Sequence, residues 1–199
     1  MDTLSPSTTA LLIIDMLPFI VRLDTSPRDG RTVLGACVQV ANACRREGAM
    51  VVLVEPGGSA RAEQLTDSSV PPIPVGPDDR TWPEALGPRE GDVVVAKPRW
   101  GAFHETHLDN NLRGRGIDTV LICGIATDFG VEATVRQAYD LGFNVVVVED
   151  ATAAFTSEAH EAACRHRLPV LARIRTADHV AEALGRGRKH ATTRMNAPT

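Results

Sequence analysis

Three absences narrow what this chain can be. Its cysteines, Cys37, Cys44, Cys123 and Cys164, form no C-x-x-C pair, and each falls in a stretch patterned as helix or strand. That argues for reduced thiols rather than a disulfide framework. No apolar run approaches the ~18 residues of a membrane span, and the opening Met1-Asp2-Thr3-Leu4-Ser5-Pro6 lacks the charged and apolar regions of a signal peptide. Basic residues are not in excess, since 21 Lys and Arg face 25 Asp and Glu for a net charge of −4, so no general nucleic-acid surface is expected. A soluble cytoplasmic protein with neither nucleic-acid nor membrane partners is the expectation.

What is present is an alternation. The 199 residues, 43% hydrophobic, suffice for one domain with a substantial core. Short apolar runs at 10–14, 50–54, 92–96, 119–123, 144–148 and 169–174 read as strands. Between them lie helical patterns at 32–47, ended by Gly48, at 108–115, from the 124–136 turn to Gly142, from a cap at Ser157 to about His166, and at 176–184. Neither an internal repeat nor a second domain is visible. The pattern predicts an α/β fold of three layers, with a six-stranded, mostly parallel, Rossmann-like sheet and helices on both faces. One domain is expected over 1–185, and the basic 186–199 segment is expected to be a disordered tail.

Chemistry collects at strand ends. The first strand runs into Asp15, the second into Glu55-Pro56-Gly57, and the third into Lys97-Pro98-Arg99-Trp100. In parallel sheets crevices open at the carboxyl edge, so these three side chains are brought together. Asp15 reads equally as a turn cap, and Glu55 as an exposed acid before a turn. Trp100 and Phe103 offer an apolar wall for a flat substrate. The fourth strand turns sharply into a helix at 124–136; Asp128 is a plausible N-cap, leaving the amides of Phe129 and Gly130 to face developing negative charge. The Pro- and Gly-rich segment 57–90, with its lone Trp82, suits a loop that shapes a cavity or a subunit interface. Cys37 and Cys44 read as core residues, and His104 and His107 as surface or interface residues without a third ligand.

The run Gly124-Ile125-Ala126-Thr127-Asp128-Phe129-Gly130-Val131-Glu132-Ala133-Thr134 resembles the nucleophile turn of the isochorismatase-like hydrolases, with Asp15, Lys97 and the Val147–Ala151 segment following the same order. In the amidohydrolase branch of that family a cysteine stands where this chain has Gly130; in the isochorismatase branch the similar turn carries glycine. The resemblance implies a hydrolase without a nucleophilic residue. Asp15 would be the general acid protonating an enol (vinyl) ether, Lys97 would tune it and anchor a carboxylate, and Glu55, in place of a glutamine, would position or deprotonate water. Ala126 and Gly130, with Trp100 and Phe103, would hold substrate. No cofactor is implied. No metal is expected either, because nothing from Glu55 to Arg80 supplies the histidine of the metal-dependent branch. Two readings remain beside it: an amide or imide hydrolase in which Glu55 activates water, and an inactive binding protein. A small-molecule substrate and a homo-oligomer, dimer or tetramer, complete the expectation.

Overall fold

A computed structural model describes residues 3–57, 65–67 and 76–195. Six strands form one sheet in the order β3-β2-β1-β4-β5-β6: β1 is Thr9–Ile14, β2 Met50–Pro56, β3 Val93–Lys97, β4 Thr119–Ile125, β5 Asn144–Ala153 and β6 Arg173–Arg175. Every ladder is parallel. All residues of β1 and β4 are buried, as befits central strands covered on both faces, where an unbroken apolar run replaces alternation.

The helices divide between the two faces. On one, Val33, Cys37, Val40 and Cys44 of α2 (Gly30–Glu47) and Val180, Ala183 and Leu184 of α6 (Ala177–Met195) pack against Leu11, Ile13, Leu53 and Leu121. On the other, Leu108 and Leu112 of α3 (Leu108–Gly114) and Val135 and Ala138 of α4 (Glu132–Asp140) pack against Leu12, Ile14, Val54 and Ile122. β1 is bonded to both β2 and β4, so the order reverses there and a crevice opens at the carboxyl ends of these strands. Gly124 keeps β4 close to β1 at that point: its φ is +117°, and a Cβ would lie 2.1 Å from the Ile14 carbonyl oxygen.

Several boundaries differ from the expectation for identifiable reasons. The segment after β1 holds a short helix α1 (Pro18–Val21), opened by a proline at its first turn. α2 begins at Gly30 because Asp29 accepts from the Thr32 amide at 2.7 Å. Thr156, not Ser157, caps α5 (Ser157–Ala162), accepting from Ala159 N at 3.1 Å. Pro169, which has no amide to give a ladder, sits in a 3₁₀ turn, and β6 starts only at Arg173. The last helix does not stop at Leu184 but continues to Met195. Gly187 serves contact there rather than termination, since a Cβ would fall 1.8 Å from the Leu4 carbonyl oxygen. Pro71 to Pro74 of the long connection lie outside the described residues, as do 196–199. Among the described residues no helix is long and apolar enough to cross a membrane.

Candidate active site

Asp15 follows the last residue of β1 with φ +56°, and its amide donates to the Val54 carbonyl at 2.8 Å. β1 thus leaves the sheet beside the end of β2 and delivers the Asp15 carboxyl into the crevice. Lys97 closes β3 and places Nζ 2.8 Å from Asp15 Oδ2, a second bond going to the Arg99 carbonyl at 3.3 Å. The two residues are 6% and 5% exposed. Asp15 Oδ1 is buried and meets no donor among the described residues. Burial pushes the Asp15 carboxyl from its ordinary 3.8 up to about 6, against the pull of Lys97 and with a push from the nearby Glu55 charge. Its working range therefore lies near neutrality, where proton transfer by a carboxylic acid is useful.

The turn after β4 is wound more widely than the expected cap. The carbonyl of Ala126, a residue joined to Ile125 by a cis peptide, accepts from the amides of Phe129 and Val131 at 3.2 Å each, and 127–131 form a π-helical turn leading into α4. Two expectations are corrected here. Asp128 lies inside the turn rather than capping it, and the Phe129 amide is spoken for. Asp128 Oδ1 is buried without a partner among the described residues, and burial raises its carboxyl's pKa. Gly130 faces Asp15: a Cβ there would stand 3.3 Å from Asp15 Oδ2, 3.0 Å from Ile14 Cγ2 and 3.6 Å from the Trp100 carbonyl oxygen. Thr134 fastens the turn, donating to the Gly130 carbonyl at 2.7 Å and accepting the Ala102 amide at 3.2 Å.

Glu55 is the penultimate residue of β2, half-buried, with Oε2 accepting the Trp82 indole N–H at 3.0 Å. Trp100 is 41% exposed and tilts against Phe129, their centroids 5.1 Å apart; Phe129 in turn meets Phe155 at 5.8 Å. An open pocket of about 200 Å³ beside this group is lined by Trp100, Asp128, Phe129, Glu132, Ala133 and Arg136. Phe103, expected on the same wall, packs instead on Phe143, which precedes β5 at the amino edge of the sheet. The structure thus brings Asp15, Lys97 and Gly130 together with Glu55 near enough to act on Asp15, sets Ala126 at the start of the turn that carries Gly130, and leaves Phe103 packed on Phe143 instead.

A buried network behind the turn was not legible beforehand. The His160 ring lies 2.9 Å from Thr127 Oγ1 through Nδ1 and 2.9 Å from Glu149 Oε1 through Nε2, and Arg28 NH2 reaches the same carboxylate oxygen at 3.0 Å. The attraction of His160 and Arg28 outweighs burial and lowers the Glu149 carboxyl's pKa. The one advance sign was a histidine on the inner face of a capped helix. Cys37 Sγ lies 3.5 Å from Cys123 Sγ in the core, while Cys44 does not share that contact. His104 is half exposed near Glu105. Among the described residues no group of three His, Cys, Asp or Glu stands at metal-binding separation.

Comparison with known proteins covers nearly the whole chain. The isochorismatase domain model matches residues 9–179. An uncharacterized isochorismatase family protein of Escherichia coli O157:H7 is 39% identical over 185 residues, covering 91% of this chain and 98% of its own. The phenazine biosynthesis protein PhzD of Pseudomonas fluorescens is 30% identical over 181 residues, covering 89% and 86%. The solved structure of an isochorismatase family protein from Burkholderia thailandensis superposes with a TM-score of 0.86 at 38% identity, covering 92% of this chain and 98% of that one.

Proposed function

The chain belongs to the isochorismatase family, and from that premise we propose that it is a hydrolase using water directly on a small molecule, an enol ether of the isochorismate type. The observation that carries this reading is the buried Asp15–Lys97 pair, 2.8 Å apart, with Asp15 Oδ1 unpartnered among the described residues and Oδ2 facing Gly130, which has no side chain. Gly130 occupies the position where the amidohydrolase branch holds its nucleophile. A covalent acyl intermediate has no atom to form on there.

Asp15, protonated in a useful fraction near neutrality, gives its proton to the terminal methylene carbon of the enol ether, and the ether oxygen shares the resulting positive charge. Water adds to the oxocarbenium carbon while Glu55 takes one of its protons. The hemiketal so formed collapses to a keto acid and the free alcohol: the proton on Glu55 passes to the leaving oxygen, and the proton lost from the hemiketal hydroxyl restores Asp15. Lys97 holds the Asp15 carboxylate in place once its proton has left, which limits the cost of a buried charge. Trp100 and Phe129 offer the ring faces for a flat or cyclic substrate.

The test is a panel of enolpyruvyl ethers and carboxamides incubated with the enzyme in D2O. The reading requires keto acid carrying one deuterium in its methyl group. Ammonia release without keto acid would replace it with the amide reading, in which Glu55 activates water. Tight ligand binding without any product would make the chain a binding protein.

A further inference from the structure

We propose that Trp82 is a positioning residue of this site: its indole N–H holds one oxygen of Glu55 and fixes that carboxylate beside Asp15, the proton donor. This rests on the hydrolase reading for its kinetic arm, while its structural arm stands without any substrate.

The argument begins with a shortage of partners. Among the described residues the crevice holds two acids, Asp15 and Glu55, and one ammonium group, that of Lys97, which is bonded to Asp15. A second carboxylate close by destabilises double ionisation, so one of the two must carry the proton more readily. The charged and titratable groups acting on Asp15 are Lys97 and Glu55. What separates the two acids is the company each keeps. Asp15 is enclosed, and its Oδ1 has no donor among the described residues. Glu55 is half-buried, and its Oε2 receives the Trp82 N–H at 3.0 Å. An indole nitrogen donates and never accepts, so this contact fixes one oxygen of Glu55 as an acceptor and sets the direction of the carboxyl group.

Trp82 is mounted rigidly enough to do this. Its ring packs against the core beneath α2. The segment that follows is clamped by Arg45 of α2, whose NH2 donates to the carbonyls of Leu86 at 3.4 Å and Gly87 at 3.2 Å and pairs with Asp92 at 2.5 Å. The segment before it is held to α1 by Arg22, 2.7 Å from Asp79. Glu55 is therefore gripped from the α2 side of the sheet through its Oε2.

Two tryptophans, Trp82 and Trp100, give this protein two indole N–H resonances, so nuclear magnetic resonance of uniformly ¹⁵N-labelled full-length chain reads the contact directly. Trp82→Phe assigns its signal, and Trp100→Phe does so by difference if the former fails to fold. The Trp82 resonance should move upfield in Glu55→Ala, and the Asp15 carboxyl midpoint, followed by ¹³C, should fall below its value of about 6 in Glu55→Gln. An indole signal unchanged by Glu55→Ala, or an Asp15 midpoint unchanged by Glu55→Gln, overturns the proposal whatever the substrate proves to be. On any turned-over substrate, Trp82→Phe should lower kcat about tenfold, the low end for a displaced acid–base group, with little change in KM. The loss should vanish in a Glu55→Gln background, because the two residues act through one bond. An equal loss in both backgrounds would assign Trp82 to packing alone.

Discussion

Replacing Asp15 by asparagine should stabilise the protein while disabling it, and the gain should depend on pH in a defined direction. The Asp15 carboxyl is raised from 3.8 in an exposed reference to about 6 in the fold. A raised acid binds its proton more tightly in the folded chain, so its contribution to stability is fully present below pH 3.8 and is lost as pH rises through about 6. The rise is roughly two units, and at about 1.4 kcal/mol per unit the fold gives up about 3 kcal/mol once the group has ionised. Asparagine mimics the protonated form and does not ionise. The advantage of Asp15→Asn should thus be close to zero at pH 4, reach about half its full value near pH 5, and level off at about 3 kcal/mol above pH 7. Chemical denaturation of both proteins across that range measures it. A variant that is less stable at every pH, or a difference that does not grow between pH 4 and 7, would refute the claim that burial rather than ion pairing dominates this carboxyl.

Other expected outcomes follow from neighbouring geometry. Lys97→Met removes the group that opposes burial, so the Asp15 midpoint should climb above about 6 in a ¹³C titration; a midpoint at or below that value contradicts the pairing. Because Asp15 must be protonated to act as an acid, kcat/KM of the native enzyme should fall as pH rises through about 6, and a profile still climbing from 6 to 8 would exclude it as the acid. Gly130→Ala sets a methyl group 3.0 Å from Ile14 Cγ2 and 3.3 Å from Asp15 Oδ2, and should cost about 1–3 kcal/mol of stability by overpacking and more than tenfold in turnover. Unchanged activity would show that the space beside Asp15 is not used. His160→Ala strips a buried ring from Thr127 and Glu149 and should destabilise by about 2–4 kcal/mol in thermal or urea unfolding; a loss under about 0.5 kcal/mol, typical of a surface change, would show the network to be ornamental.

The sheet was legible because its strands are buried on both faces, so apolar runs such as Ala10 to Ile14 could be nothing else at that length, and the polar residue after each run marked the carboxyl edge. Asp15 and Lys97 were found by the same rule, since a parallel ladder puts strand ends side by side. Where backbone geometry leaves the regular periods, the reading failed. Phe103 follows an irregular turn, and its ring packs on Phe143, a contact between distant residues that spacing does not announce. Asp128 looked like a cap because a π-helical turn, one residue wider than an α turn, has no composition of its own. The glycines at 185 and 187 suggested a helix end, but Gly187 is there to let Leu4 approach. The Trp82–Glu55 bond joins residues 27 apart across a polar segment, and no local pattern announces such a contact.

The most direct measurement is turnover by Asp15→Asn of whichever substrate the native protein hydrolyses, with the fold of the variant checked by denaturation. A general acid contributes about 10²- to 10⁴-fold, and the predicted result is a folded variant whose rate is down by at least a hundredfold. A folded variant within tenfold of the native rate would contradict the assignment of Asp15 as the proton donor, and with it the catalyst described above.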